Sequence, residues 1–159
     1  ITSVKVRLTK EKHKYNISYG SVKDEIGNRE INLESISKAV IKIRKSKLPD
    51  TNLIGNCGSF FKNPVIDQSK YFELKKKFPS ISVFKVEKNQ YKVSAAWLIE
   101  FLKYKGKSIG NVGVYENQAL VLVNLGGGTG KEILSLANKI TSDVYSTFKI
   151  KLQPEVEIL

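Results

Sequence analysis

Thr129 and Glu132 form a T-x-x-E box, and behind it Ile133, Leu136, Ala137, Ile140, Val144 and Phe148 recur at helical spacing. In such a box the threonine oxygen and the glutamate carboxylate each accept an N–H that the first helical turn leaves unpaired. The apolar residues then form one stripe along a helix of about five turns. A helix with a single apolar stripe owes most of its stability to what it packs against, so this chain must supply a sheet or further helices to cover it. Val112 and Val114, then Ala119 to Val123, suggest two strands joined near Glu116-Asn117 as a hairpin.

The same reading extends toward the N-terminus. Val4, Val6 and Leu8 alternate with polar residues and predict a strand, and Ile17 with Tyr19 a second short one before Gly20. Residues 20–31 are polar and carry the turn pair Gly27-Asn28. Leu33, Ile36, Val40 and Ile43 predict a helix with Asn32 as N-cap, stopped by Pro49. Residues 50–66 show no periodicity and read as a loop. Ser69 is a candidate cap for a short helix bearing Tyr71, Leu74 and Phe78, ended by Pro79. Val83 to Val93 reads as a hairpin broken at Lys88-Asn89. Ala95, Leu98, Ile99 and Leu102 predict a helix widened by Trp97 and Phe101, with Gly106 as a C-cap signal. Ile150, Leu152 and residues 154–158 suggest an extended tail. Strands and helices interleave without a regular βαβ repeat, so the expected class is α+β.

Composition narrows the chemistry. The chain has 159 residues with 41% apolar, enough for a core without staples. It has no apolar run long enough to span a membrane and no secretory leader pattern. Cys57 is the only cysteine, so no internal disulfide can form, which suits a reducing compartment and a cytoplasmic location. His13 is the only histidine and sits among charges in KEKHKYN. A Cys/His zinc site is therefore excluded, and no metal is expected. No methionine occurs and Ile1 opens the chain, so we expect residues upstream of it. The net charge of +12 favours an anionic partner without choosing one.

Two glycine-rich segments invite a chemical reading. NLGGGTGKE fails as a phosphate loop, because Leu125 stands where the first glycine is needed and Glu132 where Ser or Thr should follow the lysine. GNCGSFFKNP is more informative. Gly55 and Gly58 free the backbone before Ser59, Phe60-Phe61 can anchor it in a core, and Asn63-Pro64 fixes the exit. A hydroxyl on a glycine-flanked turn, locked by aromatic packing, suits a placed proton donor.

GSFFKNP resembles a signature of the UDP-N-acetylenolpyruvoylglucosamine reductases, and the likeness continues along the chain. KLPD precedes it, and KVSAAWLIE, KGKSIGNVG, ENQALVLVN and the terminal QPEVEIL follow in order. SYG at 18–20 is similar to the tyrosine segment of the long-loop class. The resemblance implies a substrate-binding C-terminal domain of short antiparallel strands and several helices, preceded by the tail of an FAD-binding domain. The implied division is 1–47 for the tail of the second FAD-binding domain, 48–150 for the substrate-binding domain and 151–159 for a tail returning to the active site.

The same resemblance implies a flavoenzyme of peptidoglycan precursor synthesis. NADPH reduces FAD, and the enolpyruvyl group of UDP-N-acetylglucosamine enolpyruvate is reduced to UDP-N-acetylmuramate. The family's proton-donating serine falls on Ser59 and its catalytic glutamate on Glu155, so the tail must fold back to the Ser59 segment. Tyr19, Lys47, Asn63, Lys92, Lys105 and Gln118 fall on substrate-holding positions. Phe84 falls, by ungapped counting, where the family often has tyrosine. The FAD-binding segments and their active-site arginine have no counterpart in these residues, so the implied partner is the N-terminal FAD-binding part. We expect the chain alone to bind little FAD and to be inactive. Two alternatives stay open at the level of sequence: a basic α+β nucleic-acid-binding module, motivated by the charge, and a non-catalytic sugar-nucleotide-binding domain. No recognised nucleic-acid motif accompanies the charge.

Overall fold

The computed structural model describes residues 2–158, so Ile1 and Leu159, the last residue of QPEVEIL, lie outside the described residues. The chain divides into two compact units, 1–46 and 47–159.

In the first unit, α1 (Val22–Ile26) stands where only a turn was expected, and Gly27 at φ 60° ends it. Five residues are too few to show a helical period. α2 (Leu33–Lys47) forms as predicted and runs into the first residue of the second unit. Asn32 caps it: its side-chain oxygen accepts from the Ser35 N–H at 2.9 Å, and the Ser35 hydroxyl accepts from the Asn32 N–H at 3.0 Å. The buried face centres on Ala39, flanked by Ile36 and Ile43 and closed by Val22, Ile26 and Ile17, while Leu33 lies on the exposed side. The two N-terminal strands are not present. Residues 2–9 hold no strand, and Val4, Val6 and Leu8 are exposed. Alternation makes a strand possible, but a ladder partner makes it a strand, and none pairs with this stretch among the described residues.

The second unit is α+β, as expected, and its sheets are antiparallel. A four-stranded sheet runs in the order β1 (Gly55–Ser59), β7 (Val121–Asn124), β6 (Val112–Val114), β5 (Ser108–Ile109), and a three-stranded sheet in the order β2 (Val65–Asp67), β4 (Gln90–Val93), β3 (Val83–Glu87). The β6–β7 and β3–β4 pairs are the predicted hairpins, the second turning through Asn89 at φ 62°. Residues 50–66 are not all loop: they hold β1 and the start of β2. β1 carries two glycines and no apolar alternation, so its ladder with β7 defines it and no side-chain pattern does.

α3 (Gln68–Lys77), α4 (Ala95–Phe101) and α5 (Gly130–Phe148) complete the unit. Asp67, and not Ser69, caps α3: its carboxylate accepts from the Lys70 N–H at 2.8 Å, and the Ser69 hydroxyl donates to it as well. Gly106 is not the cap of α4. That helix ends at Leu102, and Gly106 at φ 76° serves the turn whose N–H bonds to Val114 O. The capping box of α5 forms in both directions, Thr129 Oγ1 accepting from Glu132 N–H and Glu132 accepting from Thr129 N–H. The stripe Leu136, Ala137, Ile140, Val144 and Phe148 is buried against β6 and β7. One core unites that stripe with Phe60, Phe61, Leu74, Val93, Leu98, Ile99, Val114 and Leu152.

Candidate functional site

The segment from Gly55 to Asp67 belongs to both sheets: it leaves the four-stranded sheet as β1 and enters the three-stranded sheet as β2. Between the two lie Phe60 and Phe61, which are 4% and 1% exposed and pack edge to face with ring centroids 5.0 Å apart. Anchoring two aromatic rings in the core fixes the residues on either side of them. Ser59 is the last residue of β1, is exposed, and pairs with Val121.

The ladder does not run evenly into Ser59. Asn56 pairs with Val123, but Ser59 pairs with Val121, so the register shifts between them. Three residues advance on β1 while two advance on β7, which makes a bulge. Gly58 sits in it at φ 73°, a left-handed conformation that costs glycine little. The Asn56 carboxamide spans the irregularity: Oδ1 accepts from the Gly58 N–H at 3.0 Å and Nδ2 donates to Ile54 O at 3.2 Å.

The C-terminal tail closes on this segment. Phe61 and Pro154 form an isolated antiparallel bridge. Lys62 N–H donates to Gln153 O at 2.9 Å, and Glu155 N–H donates to Phe60 O at 2.8 Å. Glu155 is exposed, and Val156 beside it packs on the core. On the other side, Phe60 N–H donates to Leu120 O at 2.8 Å. Gln118 lies in that same turn, where its Oε1 accepts from Leu120 N–H at 3.4 Å and its backbone carbonyl accepts from Val121 N–H at 3.1 Å. The two backbone bonds of Phe60 thus join the neighbour of Ser59 to the segments carrying Gln118 and Glu155.

Asn63 and Lys92 follow along the segment. Asn63 Oδ1 accepts from the N–H of Ala95, the first residue of α4, at 2.9 Å, so its oxygen serves the fold. Lys92 is the central residue of the three-stranded sheet, opposite Val65 on one side and Phe84 on the other. Directly opposed residues of an antiparallel pair share a face. All three are exposed, so a lysine lies flanked by two apolar side chains on the open face.

Three further candidates lie elsewhere in the sequence. Lys105 is held by Glu100 at 3.0 Å. Lys47 is exposed at the end of α2. Tyr19 belongs to the first unit and is exposed.

Reading the sequence missed Asn56, although an asparagine two residues before a strand glycine is a signal for a side chain that replaces a ladder bond.

A groove of about 770 Å³ opens beside the site, lined by Cys57, Phe60, the first turns of α5 and Val156. Desolvation pushes the Cys57 thiol above its usual range. Near the end of α5, Tyr104 donates to Asp143. Burial and the adjacent carboxylate hold the phenol well above its ordinary value, and the same bond lowers the carboxyl. Among the described residues, no cluster of three His, Cys, Asp or Glu side chains gathers, and no helix is long and apolar enough to cross a membrane.

Comparison with known proteins agrees along the whole chain. Residues 49–159 match the family model described as UDP-N-acetylenolpyruvoylglucosamine reductase, C-terminal domain. A UDP-N-acetylenolpyruvoylglucosamine reductase of Flavobacterium johnsoniae is 47% identical over 162 residues, covering 100% of this chain and 48% of that protein. One of Amoebophilus asiaticus is 43% identical with the same coverage. The chain thus spans about half the length of the curated relatives it matches. A crystal structure of the enzyme from Thermus caldophilus aligns with a TM-score of 0.48 at 21% identity, covering 79% of this chain and 33% of that one. By its family model and its relatives, this chain belongs to the UDP-N-acetylenolpyruvoylglucosamine reductase family and carries that family's C-terminal domain.

Proposed function

We propose that this chain is the substrate-binding part of an oxidoreductase that converts UDP-N-acetylglucosamine enolpyruvate to UDP-N-acetylmuramate, using NADPH through FAD, for peptidoglycan precursor synthesis in the cytoplasm. The observation that carries this reading is the backbone junction at Phe60, which supports Ser59, Gln118 and Glu155 serving one site. In this reading, the division at 47/48 separates the tail of an FAD-binding domain from the substrate-binding domain, and 151–159 is the returning tail. The FAD-binding segments of the same protein are its partner.

In this reading the flavin dinucleotide is held by the FAD-binding segments of the same protein. In the glycine-rich loop, Gly126 and Gly128 N–H donate to Asn124 Oδ1, each at 3.0 Å, and Thr129 N–H donates to Glu132 at 2.7 Å, so these three amides serve the loop itself.

What this chain contributes is acid chemistry and charge. Reduction of the enolpyruvyl double bond consumes a hydride and a proton. The Ser59 hydroxyl donates that proton to the carbon that becomes carbanionic. A hydroxyl is a weak acid, so it must be held at the carbon and resupplied through hydrogen bonds. Glu155, held one residue beyond the bridge at Pro154, assists that protonation beside the substrate carboxylate. The diphosphate and carboxylate call for cations, which Lys92, Lys47 and Lys105 supply. Tyr19, Gln118 and the amide nitrogen of Asn63 add neutral donors. Lys105 leaves Glu100 to do so, an exchange that costs little for an exposed pair. Phe84 keeps the aromatic ring of the tyrosine often found there and lacks its hydroxyl.

The reading is tested by assaying the protein that carries this chain together with its FAD-binding half. NADPH consumption matched one to one by UDP-N-acetylmuramate supports it. Substrate binding without turnover would make this a non-catalytic sugar-nucleotide-binding domain instead. The relatives lend no support to a nucleic-acid-binding module.

A further inference from the structure

We propose that Asn56 is a positioning residue for Ser59: its carboxamide holds the bulge that aims the serine hydroxyl. This rests on the proposed role of Ser59 as proton donor.

A regular strand would send residues 57 and 59 to one face and 56 and 58 to the other. Here the register between Asn56 and Ser59 slips by one residue against β7. The direction in which Ser59 points is therefore set by the bulge and not by the pleat. A bulge lacks ladder bonds, so something else must hold its shape. Asn56 does so from both ends. It accepts from the Gly58 N–H at 3.0 Å and donates to Ile54 O at 3.2 Å, occupying donor and acceptor together. The side chain is half-buried, and these two bonds go to Gly58 and Ile54, not to Ser59.

Gly58 completes the device. A Cβ there would meet nothing within 4 Å, so the residue is glycine for its φ of 73° and not for lack of room. Downstream, Phe60 is fixed by its core packing and by its bonds to Leu120 and Glu155. Ser59 is thus clamped between a rigid bulge and a buried ring. Loss of the Asn56 bonds frees the upstream clamp alone.

The test is a double-mutant cycle in the protein containing its flavin-binding half. Flavin reduction by NADPH and reoxidation by the enolpyruvyl substrate are timed separately for Asn56→Ala, Asn56→Asp, Ser59→Ala and the Asn56→Ala/Ser59→Ala double variant. An ångström of misplacement can cost about 100-fold in rate, so Asn56→Ala should slow reoxidation about 10- to 100-fold with reduction unchanged. Asn56→Asp keeps the acceptor for Gly58 N–H and should recover part of the loss. In the Ser59→Ala background, Asn56→Ala should add almost nothing, because there is no hydroxyl left to aim. Full additivity, or an unchanged reoxidation rate in folded Asn56→Ala, overturns the proposal. Should Asn56→Ala not fold, Gly58→Ala replaces it: its strain is confined to one φ, and the same non-additivity with Ser59→Ala is required. If Ser59→Ala itself leaves reoxidation unchanged, the proton-donor reading fails instead, and the two failures are distinguished.

Discussion

Glu155 donates its backbone N–H to the carbonyl of Phe60 at 2.8 Å, tying the C-terminal tail to the residue that follows Ser59. The bond matters because Phe60 also donates its own N–H to Leu120 O, two residues past Gln118. One buried residue therefore sets the spacing of three candidate side chains that are distant in sequence.

Truncating Phe61 should be costly for both fold and site. Phe61 is 1% exposed and carries the bridge to Pro154. Phe61→Ala is expected to lose about 3–5 kcal/mol of stability, read by urea denaturation. Phe61→Leu should lose less and retain the tail. Protease should then release residues 150–159 faster from the alanine variant than from the leucine one.

Asn63 separates a fold role from a ligand role. Its oxygen accepts from Ala95 N–H at the start of α4. Asn63→Asp keeps that acceptor and should hold the melting temperature near the parent's, while Asn63→Ala should lower stability by about 1 kcal/mol. If the amide nitrogen also holds substrate, Asn63→Asp raises KM without changing the fold.

The Tyr104–Asp143 bond gives a signed pH dependence. Tyr104 titrates above its ordinary value in the folded chain, so its contribution is present below about pH 10 and is lost as pH rises through the folded value. Asp143 titrates below its ordinary value, so its contribution is present above about pH 4 and is lost as pH falls through the folded value. Tyr104→Phe removes the first and the larger part of the second, because Lys139 still lowers Asp143. It is expected to cost about 1 kcal/mol at neutral pH, a fall of about 2–4 °C in Tm, with a flatter stability profile at both ends.

Cys57 should be a slow nucleophile despite its exposure. Desolvation raises its thiol, and the thiolate is the reactive form. Alkylation by iodoacetamide at pH 7.5 is expected to run slower than for a free thiol and to accelerate as pH is raised. Alkylation as fast as free cysteine at neutral pH would contradict the assignment.

Legibility in the sequence followed the physics of each element. α5 and α2 were readable because a cap and an apolar stripe are both local signals. α1 was missed because five residues hold no period. β1 was read as loop because GNCGS has no alternating apolar residues; it is a strand by virtue of β7. The reverse error arose at Val4–Leu8, where alternation is present and a partner strand is not. At the site, the burial of Phe60 and Phe61 was legible from composition. That Glu155 would meet the Ser59 segment was legible only through family resemblance, since no local pattern encodes a contact between two segments so distant in sequence. The pairing of Lys105 with Glu100 and the bracing by Asn56 were not legible, because both depend on where side chains point after the backbone is set.

The proposed role of Ser59 is to deliver the proton. Ser59→Ala in the protein with its flavin-binding half, followed by stopped-flow flavin absorbance in each half-reaction, tests it directly. Reduction by NADPH should be unchanged and reoxidation by the enolpyruvyl substrate slowed by at least about 100-fold. Equal loss in both half-reactions, or no loss in reoxidation, would contradict it.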